Sequence, residues 1–589
     1  MPHTPHGVSF ESNRPVVMGR NGMVCAGHPL AAQAGMAALQ RGGNAVDAAI
    51  ATAAALNVVE PNMSGVGGDG FIMVYNRQAG TIEVCNGTGA APYATDVDWY
   101  RKNGIPAKGI LSVSVPGLVD AWMAAHARYG TLSLAEVFDA AIDLSENGFP
   151  VTHVLSGVIA GDRLLCEFPD SQAVFAPGGA PMRPGQILRQ PGLVRTFQAI
   201  VDGGRDAFYE GDTARSLVKF SEEQGGILSL KDLADCRSRW ETPISTTYHG
   251  HTVYEAPPNS SGHVLLQELN IVEQFDLKAM GCNTPESIHL MVEAKKLAFA
   301  DREAYMADPD WVDVPVAGML SKQYAAERSR LIDPERAAEV VGHGDPWSYQ
   351  PANYTRRPKA KATAGAMQEE DTTCFVVVDR WGNAVCQLQS IQSSLGSSIV
   401  AGDTGILLNN RMTYWHLDPD HADCLQPGKR VRHTMNPIMV FRNAGESQHA
   451  FQNGGSRNGD SGHGGLALVC GTPGADTQVQ TNMQVITHVL DFGMTVSEAV
   501  EAPRWRNTHS PTESNIPHEC DNLLYVESRF PAETLDGLRQ RGHTLEVMHG
   551  WGASGSEMMI QVDGDTDASD SNVLQGAADP RRDGYAIGW

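Results

Sequence analysis

Long apolar runs are missing from this chain. No stretch of about 18 apolar residues occurs, which excludes a helical membrane span on sequence grounds. The opening residues, MPHTPHGVSFESNRPVV, lack a basic start followed by an apolar core, so no secretory signal is read and a cytoplasmic protein is expected. Positive charge is also short: 44 Lys and Arg stand against 68 Asp and Glu, a net charge of −24 that argues against a nucleic-acid partner. The ten cysteines, at positions 25, 85, 166, 236, 282, 374, 386, 424, 470 and 520, show no CxxC or CxH spacing. That excludes a disulfide framework or a Cys-ligated metal site and leaves buried free thiols. No HxxxH or HxxEH pattern occurs among the histidines, so neither metal nor cofactor is expected. There is no internal repeat.

What is present begins with 589 residues at 42% hydrophobic content, enough for one large core or two. The most informative stretch is DTTCFVVVDRWGNAVCQLQSIQSSLG, residues 371–396. β-Branched and aromatic residues at 375–378, turn chemistry at 379–383 and a return run at 384–390 predict a β-hairpin that Thr372 opens. Ser390 and Gln392 come back beside that opening, but a one-residue slip would turn both to the other face, and the pattern leaves the register open. The preceding segment, 351–371, is polar and basic without apolar periodicity, which suits an exposed linker carrying a processing site between Asp371 and Thr372.

Elsewhere the pattern predicts helices over 28–40 and 44–57, the first stopped by Gly42 and Gly43 and the second capped by Asn44 and rich in alanine. The Gly-rich loop SGVGGDG leads into a strand at 71–75; no Lys-Ser/Thr pair opens a helix behind it, so a phosphate cradle is rejected. Residues 114–147 and 150–345 are mainly helical, notably 289–307, whose Glu293 and Lys296 read as a solvated face. After residue 371 strands are expected at 405–409, 438–441, 466–470 and 557–562. Residues 443–465, rich in Gly, Ser and Asn, read as an enlarged hairpin loop. A helix-rich first part followed by a strand-rich second part indicates an α+β fold or a layered sandwich.

The order of GNAVDAAIATAAALNVVEPNMSGVGGDGF (43–71), SVPGLVDAW (114–122), PPNSSG (257–262), DTTCFVVVDRWGNAV (371–385), GILLNNRM (405–412), GTPGAD (471–476) and GAADPRRDG (576–584) resembles the γ-glutamyltransferase family of N-terminal nucleophile hydrolases. The resemblance implies a four-layer αββα sandwich. It also implies autoprocessing into a large subunit, 1–371, and a small subunit, 372–589, intertwined in one domain; the pair can stand alone or associate again as a dimer. In the family, Thr372 is the nucleophile, Ser390 stands where a hydroxyl contacts its amine, and Gln392 where an Asn contacts substrate. Thr373 is the usual second threonine, and GTPGAD supplies the oxyanion donors through Gly474 and Ala475, the latter in place of a glycine.

An N-terminal threonine brings its own base, because a free α-amine titrates near 7.7–8.0 and can take the hydroxyl proton. Three departures from the transferase pattern stand together. Tyr414 replaces the acid that holds the substrate amine. His433 and Thr434 replace a Ser-Ser pair. Asn86 or Thr88, depending on alignment, replaces the arginine that holds the α-carboxylate. The expected substrate is therefore a small-molecule amide whose acyl group lacks the amino-acid head, as in the acylase and amidohydrolase branch. Arg411 and Arg432 read as lone surface cations that are structural, with carboxylate binding as the other reading. A true γ-glutamyltransferase with relocated anchors, and an uncleaved scaffold protein, are the two rival readings.

Overall fold

Alternation along the central hairpin decides the layering. The computed structural model describes residues 12–351, 372–443, 463–509, 522–563 and 573–589. Asp371, almost all of the 351–371 linker, most of the 443–465 segment and Cys520 therefore lie outside the described residues. Strands Thr373–Asp379 and Ala384–Ser390 pair antiparallel with Thr373 opposite Gln389 and Val378 opposite Ala384. Phe375, Val377 and Val385 point to a core shared with helices. Cys374, Val376, Val378, Cys386 and Leu388 point into a second core shared with Met439, Val469, Met558 and Ile560 of another sheet. A strand buried on both faces reads as a near-continuous apolar run, which FVVV does.

The hairpin sits in a front sheet of seven strands in the order Tyr585–Gly588, Gly22–Ala26, Thr373–Asp379, Ala384–Ser390, Asp69–Asn76, Thr81–Asn86 and Arg239–Glu241. The back sheet, also of seven, runs Val17–Gly19, Val573–Ala578, Met558–Asp563, His463–Gly471, Ile438–Asn443, His251–Glu255 and Ile244–Tyr248. Both sheets combine strands from before and after residue 372. Helices Pro29–Gln40, Ala45–Val59, Leu118–Tyr129, Leu134–Asn147 and Pro191–Tyr209 cover the front sheet through one core. Helices Gly262–Val272, Pro285–Tyr305 and Thr477–Leu490 cover the back sheet through another. This is the four-layer αββα sandwich of the N-terminal nucleophile hydrolases.

Local chemistry explains the helix nearest the site. Asn44 and Asp47 form a capping box that starts Ala45–Val59, and every residue of that helix is buried. Its alanines let it lie close under the hairpin, and Glu60 at its C-terminal end accepts a hydrogen bond from Thr373 at 2.6 Å. No helix among the described residues is long and apolar enough to cross a membrane.

Several expectations are corrected here. Glu293 and Lys296 do not form a solvated face: both are buried, and Lys296 Nζ donates to Glu293 at 2.8 Å and to the Ala338 carbonyl at 2.9 Å. The helix Pro285–Tyr305 is enclosed by its neighbours, so its charges are met by partners that lie far away in sequence. Residues 405–409 form no strand; Leu407 and Leu408 make only isolated bridges to Val400 and Gly67. Of the nine described cysteines, Cys166 is exposed and Cys236 partly so, and the other seven are buried.

Burial also sets an acid limit on stability. His488, on the helix Thr477–Leu490, is 1% exposed, and desolvation lowers its pKa from 6.5 to about 4. Between these values the unfolded chain holds the extra proton, so this contribution to stability is complete above 6.5 and is lost as pH falls toward 4. His488→Leu is expected to reduce the fall in unfolding free energy across that window by on the order of 3 kcal/mol. Urea titrations of both proteins at the two ends of the window check this, and equal slopes would refute it.

Candidate active site

The register that the sequence left open places the central threonine. Thr373 faces Gln389, so extending the antiparallel ladder by one residue sets Thr372 opposite Ser390. On its other side Ser390 pairs with Asp69. By strand alternation Thr372, Ser390 and Asp69 share the face that looks toward the back sheet, in one row across three adjacent strands. Neighbouring strands lie about 4.8 Å apart, so Thr372 stands about 10 Å from Asp69 with Ser390 between them. Thr372 and Ser390 are both buried. Thr373 is not part of the row; its side chain turns to the helical face, onto Glu60.

The loops around this row are held at backbone contact distance. A Cβ on Gly68 would lie 2.1 Å from the carbonyl oxygen of Ser390, and one on Gly67 would lie 2.3 Å from that of Leu407. The Gly-rich segment is therefore needed for the chain to pass directly over the return strand. Asn409 ties this arrangement together, donating to the carbonyls of Gly67 and Ser114 and accepting from the Ser114 and Arg411 N–H groups. Asn410 holds the next loop by accepting from the Ser393 N–H at 3.0 Å. Gln392 has a left-handed backbone (φ 85°), and its N–H donates to Ser390 Oγ at 2.8 Å.

Facing the row across the sandwich is the turn at the end of the back-sheet strand His463–Gly471. Gly471 packs on Cys374, since a Cβ there would lie 2.8 Å from Cys374 Sγ, two residues along the strand from Thr372. Gly474 (φ 117°) and Ala475 (φ 49°) are both left-handed, a conformation that costs alanine about 1–2 kcal/mol. Their carbonyls accept from Thr477 and Gln478, while no acceptor among the described residues takes the N–H of either. Asp476, the next residue, is clamped by Arg302 through contacts of 2.6 and 3.2 Å. A turn braced in this way presents two adjacent N–H donors, which is what a developing oxyanion requires.

Asp69 is the residue that sequence reasoning missed. It lies inside the motif SGVGGDG, whose sequence shows only a Gly-rich loop leading into a strand. Its carboxylate accepts from Arg411 at 3.1 and 3.2 Å and meets His433 Nε2 at 3.1 Å. The Arg411 guanidinium lies 5.0 Å from the Tyr414 ring centre, and Tyr414 stacks at 6.5 Å on His433, which Phe71 meets edge-on at 5.5 Å. Burial drives the Asp69 pKa upward, but Arg411 and His433 outweigh it and hold the carboxyl below its usual value. Burial first, then Arg411, lowers His433 from 6.5 to about 4, so its imidazole is neutral near pH 7.

The remaining sequence candidates frame this cluster. Asn86 donates to Asn259 at 2.9 Å and accepts from the Thr88 hydroxyl at 2.7 Å. Asn259 in turn accepts from the His433 N–H through its carbonyl, and Ser261 N–H donates to the His433 carbonyl. The PPNSSG segment thus braces His433 and the buried Thr434. Arg411 and Arg432 are not lone surface cations: they are 2% and 0% exposed, and Arg432 pairs with Glu303 at 3.1 Å.

The family description Gamma-glutamyltranspeptidase matches residues 31–589. The chain belongs to the gamma-glutamyltranspeptidase family. It is 36% identical over 580 residues to the "Glutathione hydrolase-like YwrD proenzyme" of Bacillus subtilis (strain 168), covering 97% of this chain and 99% of that one. To the "Acylase ACY 1 proenzyme" of Pseudomonas sp. (strain SE83) it is 34% identical, over 99% of this chain and 96% of the other. The solved structure of cephalosporin acylase from Bacillus halodurans superposes with a TM-score of 0.84 at 33% identity, covering 100% of this chain and 99% of that one. The chain is thus a gamma-glutamyltranspeptidase-family hydrolase made as a proenzyme.

Proposed function

We propose that this family member is an N-terminal threonine amidohydrolase, processed before Thr372, whose substrates carry an acyl group without an α-amino acid head. The observation that supports this most is the closed cluster of Asp69, Arg411, Tyr414 and His433. Where the transferases hold an amino acid head, this chain has a carboxylate already engaged by a guanidinium and an imidazole, and an aromatic ring in place of an acid. A zwitterionic head would have to separate those partners, at a cost of a few kcal/mol.

In this reading Thr372 Oγ attacks the amide carbon while its proton passes to the Thr372 α-amine. The oxyanion rests on the N–H groups of Gly474 and Ala475. Collapse breaks the C–N bond, the departing amine takes the proton, and an acyl ester remains on Thr372. Water then attacks that ester by the reverse proton path, releasing the acid and restoring the hydroxyl. Ser390 holds the threonine in place, with its own oxygen fixed by the Gln392 N–H.

The rival glutathione hydrolase reading draws on the name of the Bacillus subtilis relative. Two anilides separate the readings. Glutaryl-p-nitroanilide is expected to show a kcat/KM at least about tenfold above that of γ-glutamyl-p-nitroanilide, the effect of about 1.4 kcal/mol in differential binding. The reverse order would establish the rival.

A further inference from the structure

One helix reaches two walls of the active site with adjacent side chains. Arg302 and Glu303 stand in the last turn of Pro285–Tyr305, a helix that precedes residue 372, and both are 1% exposed. Arg302 donates through both terminal nitrogens to Asp476, at 2.6 and 3.2 Å, and its Nη2 also donates to Glu303 Oε1 at 2.9 Å. The other Glu303 oxygen, Oε2, meets Arg432 Nη1 at 3.1 Å. Asp423 lies beyond Arg432, accepting its backbone N–H at 3.2 Å and standing 3.8 Å from its Nε. Charges of alternating sign therefore run through the interior from Asp476 to Asp423, and the middle one is Glu303.

Both arginines lead to a segment whose placement matters to the chemistry. Asp476 directly follows Ala475, one of the two oxyanion donors, and Arg432 directly precedes His433, which meets Asp69. Asp476 also occupies the N-cap position of the helix Thr477–Leu490, where an aspartate ordinarily accepts from its own helix and stabilises it by about 1 kcal/mol. It makes no such bond here, and its carboxylate turns to Arg302 instead. Stability alone does not account for this chain of buried charges, because desolvating them offsets much of their attraction. Geometry does. A carboxylate shared by two guanidinium groups leaves each little freedom to shift, so the oxyanion turn and the His433 segment keep one separation.

We infer that Glu303 is a positioning residue, which sets the oxyanion turn at Gly474 and Ala475 against the cluster of Asp69 and His433, acting through Arg302 and Arg432. It touches no reacting atom. This role rests on the reading of that turn as the oxyanion site, and it names what holds the two N–H donors in place.

Steady-state kinetics on whichever of the two anilides the wild type hydrolyses faster test the role, with thermal melts of every variant. Glu303→Gln is expected to lower kcat at least about tenfold with KM within about twofold, because displaced oxyanion donors are felt in the transition state. The double variant Glu303→Gln with Arg432→Gln removes one charge of each sign, which guards against a single variant that does not fold. Its kcat is expected to stay as low. Asp476→Asn alone is expected to show the same loss in kcat, and adding it to Glu303→Gln should lower kcat little further, since both cut one connection to the turn. Folded variants with kcat within about twofold of wild type, losses confined to KM, or kcat losses that multiply would overturn the role and leave the amidohydrolase reading in place. A wild type that hydrolyses neither anilide would overturn both.

Discussion

Thr372→Ala is expected to leave one intact chain of 589 residues and to lower amide turnover on the order of 10⁴-fold or more, the scale of losing a covalent nucleophile. Wild type is expected to yield fragments beginning at Met1 and Thr372. The strength of this prediction lies in its control. Thr372 and Thr373 are adjacent and chemically identical, yet the hairpin register sends them to opposite faces of the front sheet. Thr373→Ala removes a buried hydrogen bond to Glu60, a loss of about 1.5–3 kcal/mol of stability, and is expected to leave processing and the nucleophile in place. Thr372→Ser keeps a hydroxyl and is expected to retain processing. Intact-mass and N-terminal sequencing of the three variants decide the matter. An active wild type found as a single uncleaved chain, or a Thr372→Ala protein that processes normally, would remove the nucleophile assignment.

The hairpin was legible because its signals are local: apolar residues on successive positions, turn residues between them and a polar segment before them. Its register was not, because a period of two gives the face of each residue relative to its neighbours and not the partner across the ladder. The same limit explains Asp69. Its place in a loop just ahead of a strand could be read, but its carboxylate matters through Arg411 and His433, residues more than three hundred positions away. Arg411 and Arg432 looked like surface cations, and Glu293 with Lys296 like a solvent face, for one reason. A charge is buried when distant partners compensate it, and local sequence does not record those partners. Residues 405–409 have strand composition yet stop at isolated bridges, because Asn409 and Asn410 use their side chains to hold neighbouring loops in place of a ladder.

Asp69→Asn is expected to have the largest effect on stability, a loss of about 3–5 kcal/mol in unfolding free energy. Asp69, Arg411 and His433 are all no more than 2% exposed. Removing the carboxylate charge leaves the Arg411 guanidinium buried with an amide in place of its counter-ion, the situation in which breaking a buried pair costs most. The effect should reach catalysis as well, since Asp69 is the cross-strand partner of Ser390 and fixes the positions of Arg411 and His433 beside it. Turnover of the folded Asp69→Asn protein is therefore expected to fall mainly in kcat. The double variant Asp69→Asn with Arg411→Gln replaces a charged pair by a neutral one, and it should recover much of the lost stability. A double-mutant cycle measured by urea unfolding checks this coupling. A cost below about 1 kcal/mol for Asp69→Asn, or simple additivity in the cycle, would show that the cluster does not hold the site together. Recovery of stability without recovery of kcat would instead show that the charged pair is retained for the geometry it imposes on Ser390 and His433.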